Sequence, residues 1–117
     1  MNETEARRIV RERSPLCEIC DAAPGTEFSH RVSAGQGGLW TPANGCRACR
    51  RCHSLIHHRP DYAMARGWML PSWADPYTAP ALLRTWFGEW WVHLDDEGLY
   101  VMSDRPINQL LEWSVTA

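Results

Sequence analysis

This sequence predicts a small α+β domain stiffened by zinc, and three observations predict it. Two Cys-x-x-Cys pairs, Cys17/Cys20 and Cys49/Cys52, can supply four thiolates to one ion in the tetrahedral geometry that zinc favours. Helix-like and strand-like segments both occur, separated by Gly, Asn and Pro turns. At 117 residues and 13.4 kDa, the chain suits one compact domain with an accessory segment on the same core, a size at which a structural metal supplements apolar packing.

The elements follow in order. Residues 3–13 are charged, lack Pro and Gly, and read as a helix stopped by Ser14-Pro15, because proline restricts its predecessor. The first cysteine knuckle comes next. Residues 26–32 read as a short strand with Phe28 as its core anchor, and Gly35, Gly37 and Gly38 make the stretch after it a flexible turn. Asn44-Gly45 either joins the strands of a hairpin or finishes its long loop. The second knuckle leads into residues 53–59, a short helix ended by Pro60, and residues 62–66 form a further helical turn closed by Gly67.

In the second half, residues 68–70 read as a short apolar strand or extended segment, residues 71–80 as a loop wrapping the core, and residues 81–91 as a second apolar block. An acidic turn at 95–98 separates two strand-like runs, which predicts a β-hairpin. Residues 107–113 close the fold as a short helix or an extended tail. Most of Trp68, Trp73, Trp86, Trp90, Trp91 and Trp113 are expected in the core. The division expected is residues 1–60 for the N-terminal helix and zinc-braced core, and 61–117 for an accessory extension.

Composition excludes some classes. A chain 44% hydrophobic with seven tryptophans is no disordered tail, and no apolar run approaches the roughly 20 residues that cross a bilayer. The N-terminus is polar and lacks the apolar core of a secretory signal, so a reducing, cytoplasmic setting is expected, where close cysteine pairs mean metal or redox chemistry. The net charge of −2 conceals +3 over residues 1–60 and −5 over 61–117. There is no lysine, so every fixed side-chain cation is a guanidinium, whose planar fork grips phosphate. Arg31, Arg47, Arg50, Arg51 and Arg59 are the candidate phosphate contacts; the plainer reading of each is a solvated surface residue.

A zinc ion saturated by Cys17, Cys20, Cys49 and Cys52 has no open position, so it braces a site without activating water. Cys46 also has ligand spacing to Cys49, but pairing Cys49 with Cys52 sets the knuckle against the helix that carries His53. His53 and His57, four residues apart, share a helical face and can present two imidazoles to a second ion. His58 and His93 read as surface or structural residues.

The set Ser29-His30-Arg31, Asn44, and Cys49-Arg50-Arg51-Cys52-His53 with His57 resembles the HNH endonucleases, most closely their small zinc-containing branch from actinobacteria and phages. That resemblance implies a ββα-metal core of the His-Me finger type, a hairpin followed by a helix around one divalent ion. It implies His30 as general base, His53 and His57 as ligands of a catalytic Mg²⁺, Mn²⁺, Ni²⁺ or Zn²⁺, and Asn44 as the residue that orients the His30 loop or helps fix the metal site by hydrogen bonding. It also implies DNA as substrate, 5′ phosphate and 3′ hydroxyl products, and phage packaging or other nucleic-acid-processing proteins as partners in a bacterial cytoplasm. One departure stands out: the family commonly places Asp or His before the general base, and this chain has Ser29. The ion is then left to His53, His57, water and substrate phosphate, or the site is without turnover.

Two other classes compete. A zinc-ribbon module that binds nucleic acid, or serves assembly, without turnover explains the four cysteines equally well, but gives His30, Asn44, His53 and His57 no common purpose. A thiol oxidoreductase needs an exposed cysteine of low pKa, for which the knuckles carry no signal.

Overall fold

The Asn2 side chain accepts a hydrogen bond from the Glu5 amide at 2.9 Å and starts helix α1, Glu3–Arg13. Glu3 and Glu5 lie in its first turn and Arg11 and Arg13 in its last, both matching the helix dipole. Ser14 turns to extended backbone before Pro15, and the helix ends there as the sequence predicts. The computed structural model describes residues 1–113.

Strands β1 (Glu27–His30) and β2 (Gly45–Ala48) form an antiparallel pair with Glu27 opposite Ala48 and His30 opposite Gly45. The loop between them contains 3-10 turns at Ala34–Gln36 and Pro42–Asn44, so Asn44-Gly45 finishes a long loop. Gly45 faces the Phe28 ring so closely that a Cβ would lie 2.2 Å from it, which explains the glycine opposite that strand. Helix α2 (Arg50–His58) follows β2 directly, and α3 (Pro60–Ala65) begins at the proline that ends it.

A second sheet has the order β3 (Ala81–Thr85), β4 (Gly88–Leu94), β5 (Tyr100–Met102), all antiparallel. The expected hairpin is its β4–β5 half. The apolar block at 81–91 is a second hairpin that turns at Gly88, whose φ of 118° few other residues adopt. Residues 68–70 are not a strand: the Trp68 indole donates to the Leu82 carbonyl at 2.7 Å, and the Leu70 amide donates to the Arg31 carbonyl at 2.8 Å, within a turn. Residues 107–113 are irregular and tied down by the Leu111 amide on Ala65 and the Trp113 indole on Met64, both at 2.8 Å.

The chain is therefore a mixed α+β fold with two small sheets and a cluster of four cysteines. Its main core draws on both halves, including Ile19, Cys46, Ile56, Trp68, Leu83, Val92 and Leu94. A smaller cluster packs Ala6 and Val10 of α1 on Phe28, with Trp40 at its edge. The tryptophans depart from expectation. Trp68 and Trp91 are buried, but Trp73, Trp86 and Trp90 are exposed, Trp86 by 86%. Trp86 sits at the β3–β4 turn.

One buried carboxylate joins the layers. Glu18, inside the first knuckle, accepts from Arg13 Nη2 at 2.7 Å and Nε at 3.1 Å, from the Arg47 amide at 2.7 Å, and from the Tyr100 hydroxyl. Arg13 also donates to the carbonyls of Pro42 and Gly45. A buried ion pair is tolerated when the remaining polar atoms are satisfied in this way. Among the described residues, no helix is long and apolar enough to cross a membrane.

Candidate functional site

The thiols of Cys17, Cys20, Cys49 and Cys52 come together from the two knuckles, with all sulfurs within 4.8 Å of one another. Four sulfurs around zinc at about 2.3 Å stand about 3.8 Å apart, and Cys20 and Cys49 are already at 4.0 Å. Backbone amides point at the sulfurs, from Ile19 and Cys20 to Cys17, from Ala22 to Cys20, and from Cys52 to Cys49, at 3.4 to 3.5 Å. Such N–H···S contacts favour thiolates, and the residues therefore fit a structural divalent ion such as zinc. Burial and the neighbouring thiols push Cys52 well above the ordinary thiol range, so a cation is what allows this group to ionise. Asp21 closes the first knuckle with φ of 55°, a left-handed position that Asp tolerates.

Cys46 lies outside the cluster. It is fully buried on β2 opposite Ser29, and burial pushes its thiol up to about 12. No cysteine among the described residues is in a disulfide.

Cys49 also caps α2, so the second knuckle fixes where that helix starts. One turn later His53 and His57 face each other and are hydrogen-bonded to one another through their Nε2 atoms at 3.1 Å. Two imidazoles on one ion at about 2.0–2.1 Å place their nitrogens about 3.3 Å apart, so this separation suits a shared ion. His58 instead bonds Ser54 of its own helix, and His93 is half-buried on β4 opposite Val101.

His30 ends β1, the strand against which α2 packs. Its ring meets Trp40 edge-on at 4.3 Å and Phe28 at 5.1 Å between centroids, and its Nε2 is buried without a partner. Burial holds the His30 pKa below its ordinary value, and the charges of Arg7 and His53 act in the same direction. The His53 pKa is also lowered, by burial and then by His57. The influence of His53 on His30 reaches across the β1–α2 packing. Ser29 is buried and pairs with Cys46 across the sheet.

Asn44 is buried behind this corner. Its Oδ1 accepts from the Val32 amide at 2.8 Å, and its Nδ2 donates to the carbonyls of Val32 at 3.0 Å and Leu39 at 3.1 Å. One amide thus ties both ends of the loop that leaves His30. Gly38 belongs to the same arrangement, since a Cβ there would lie 1.8 Å from the Val32 carbonyl oxygen.

The arginines divide. Arg31 is fully buried and cannot meet a phosphate, which corrects the expectation from its place beside His30. Its Nε donates to Gly67, Nη1 to Ala43 and Pro76, and Nη2 to Ala79 and Pro80, so it pins the 67–80 segment to the hairpin. Those carbonyls lie 12 to 49 positions along the chain, where no local pattern announces them. Arg47 is partly buried with its stem over Gly25, while Arg50, Arg51 and Arg59 are exposed. Arg50 and Arg51 occupy the first turn of α2, against its dipole.

Two neighbours of His30 escaped the sequence reading. Arg7 lies with its guanidinium carbon 4.7 Å from the centre of the Trp40 ring, and Trp40 in turn covers His30. The signal was the helical spacing of Ala6 and Val10, whose burial turns the adjoining Arg7 toward β1. Comparison with protein-family models, with curated proteins and with solved structures gives no match.

Proposed function

We propose that this domain is a zinc-braced HNH endonuclease that hydrolyses DNA phosphodiesters. The observation that carries the reading is the 3.1 Å separation of the His53 and His57 Nε2 atoms on the helix that packs against the strand ending in His30. The order of strand, long loop, strand and helix supports a ββα-metal core of His-Me finger type. In this reading the His30 imidazole, neutral at working pH because burial lowers its pKa, takes a proton from the attacking water. The water oxygen bonds to phosphorus as the bond to the 3′ oxygen breaks. A divalent ion held by His53 and His57 would offset charge on the phosphate and the departing oxygen. Asn44 holds the loop behind His30, and Arg47, Arg50 and Arg51 contact backbone phosphates. Residues 61–117 serve as an accessory extension, with packaging or other nucleic-acid-processing proteins as partners.

A second reading keeps the scaffold without turnover: a zinc-stabilised module that binds nucleic acid or serves in assembly. The four thiols favour it, because they are the one group of three or more candidate ligands gathered among the described residues. They support it more directly than they support catalysis, since among the described residues the histidine pair belongs to no group of three candidate ligands, and Ser29 is buried. Supercoiled plasmid separates the two readings. Zinc-loaded protein is incubated with added Mg²⁺, Mn²⁺, Ni²⁺ or Zn²⁺ beside His30→Ala. Nicking by the wild type, abolished in the variant with zinc content and circular dichroism unchanged, supports the nuclease. Absence of nicking with every ion, or equal nicking by His30→Ala, overturns it.

A further inference from the structure

We propose that Arg7, supplied by α1, is the guanidinium that binds a backbone phosphate beside the one at His30. The inference rests on the nucleic-acid site described above and extends it to an element outside the hairpin and α2. Arg31, the arginine next to His30 in sequence, is sealed in the core and has every guanidinium nitrogen engaged by carbonyls. Arg7 is in the opposite condition. Its Nε is anchored by Glu3 at 2.9 Å, its guanidinium carbon lies 4.7 Å from the centre of the Trp40 ring, and its side chain is 40% exposed. Among the described residues, its two terminal nitrogens have no hydrogen-bond partner.

A guanidinium held by a carboxylate at Nε and by an aromatic face presents its remaining N–H edge as a fixed fork, the geometry that a phosphate accepts bidentately. The indole beneath it also covers His30, so a single ring separates the fork from that imidazole. Both members of the Arg7–Glu3 pair act on the His30 pKa, Arg7 lowering it and Glu3 raising it, which reports the same proximity. Contact with the Trp40 ring and the bond to Glu3 remove much of the freedom that a surface arginine loses on binding, so this contact is stronger than one from Arg8, which is exposed on the same helix and has Nη1 paired to Glu12.

The test is fluorescence anisotropy with a labelled duplex oligonucleotide, using zinc-loaded full-length protein with no second ion added, so that binding is read apart from cleavage. Arg7→Gln is expected to weaken binding roughly tenfold at low salt. It should also make the slope of log affinity against log salt shallower by about 0.9. Arg8→Gln should change affinity less than about twofold, as expected for a screened surface charge. Trp40→Leu should fall between them, because the charge remains without its support. Zinc content and circular dichroism check that each variant is folded.

The proposal is overturned if Arg7→Gln and Arg8→Gln lose affinity equally, or if the wild type binds no duplex. His30-dependent nicking with Arg7-independent binding removes this inference and leaves the nuclease reading. Arg7-dependent binding without nicking keeps the phosphate contact and removes the catalytic reading.

Discussion

Replacing Asn44 by alanine deletes the amide that closes the His30 loop, and its cost follows from three hydrogen bonds. The Val32 amide loses an acceptor, and the carbonyls of Val32 and Leu39 lose donors, in a place where Asn44 is 1% exposed. At about 1 kcal/mol net for each bond, the loss is about 3 kcal/mol. That is a large share of the roughly 5–15 kcal/mol that holds a domain together. Asn44→Asp keeps the shape and the bond from Val32, but turns a carboxylate oxygen toward two carbonyls, so at neutral pH it should be at least as destabilising. Urea unfolding of the zinc-loaded proteins measures both, with an unchanged slope indicating the same surface exposed. Amide exchange should rise most over residues 33–41. A loss below about 1 kcal/mol, or an aspartate variant more stable than the alanine one, refutes the account.

Other outcomes follow from the same geometry. Cys20→Ser should abolish bound zinc and the cooperative unfolding transition, whereas Cys46→Ser should keep the metal content of the wild type, both read by elemental mass spectrometry. Glu18→Gln should destabilise by about 3–5 kcal/mol because it leaves the Arg13 cation buried without its counter-charge. Adding Arg13→Met should recover part of that loss in urea unfolding. His30 and His53 should titrate by NMR below the ordinary 6.5, because burial disfavours their charged forms. The neutral rings therefore contribute stability that is complete above 6.5 and is lost as pH falls through the lower folded-state midpoints. Midpoints at or above 6.5 contradict this.

The metal brace was legible because its information is local. Two knuckles, the stop at Ser14-Pro15 and the helix ending at Pro60 each depend on residues a few positions apart, and the structure has them where the pattern puts them. His53 and His57 belong to the same class, since four residues on a helix bring two rings together. The tie between Asn44 and the loop after His30 spans a long loop, yet Asn44-Gly45 marked its end. What local pattern could not supply was direction. Arg31 looks like a phosphate contact until its acceptors arrive from a distant segment, and Arg7 looks like ordinary helix surface until Ala6 and Val10 settle on Phe28. The β3–β4 pairing was missed although Gly88 follows its turn, because Trp86-Phe87 read as part of one continuous apolar block; Trp73 and Trp86 fall in turns and Trp90 on the outer side of β4, placements that an aromatic side chain does not announce.

Glu18 stands between two zinc-binding cysteines and also holds the end of α1 and the outer strand of the C-terminal sheet. Chelation therefore reaches further than the thiols: slackening the knuckle loosens the anchorage of the first helix and of the last strand in a single event. Removing an ion from these sulfurs should therefore free Arg13 and Tyr100 together, two side chains distant in the chain that share one carboxylate.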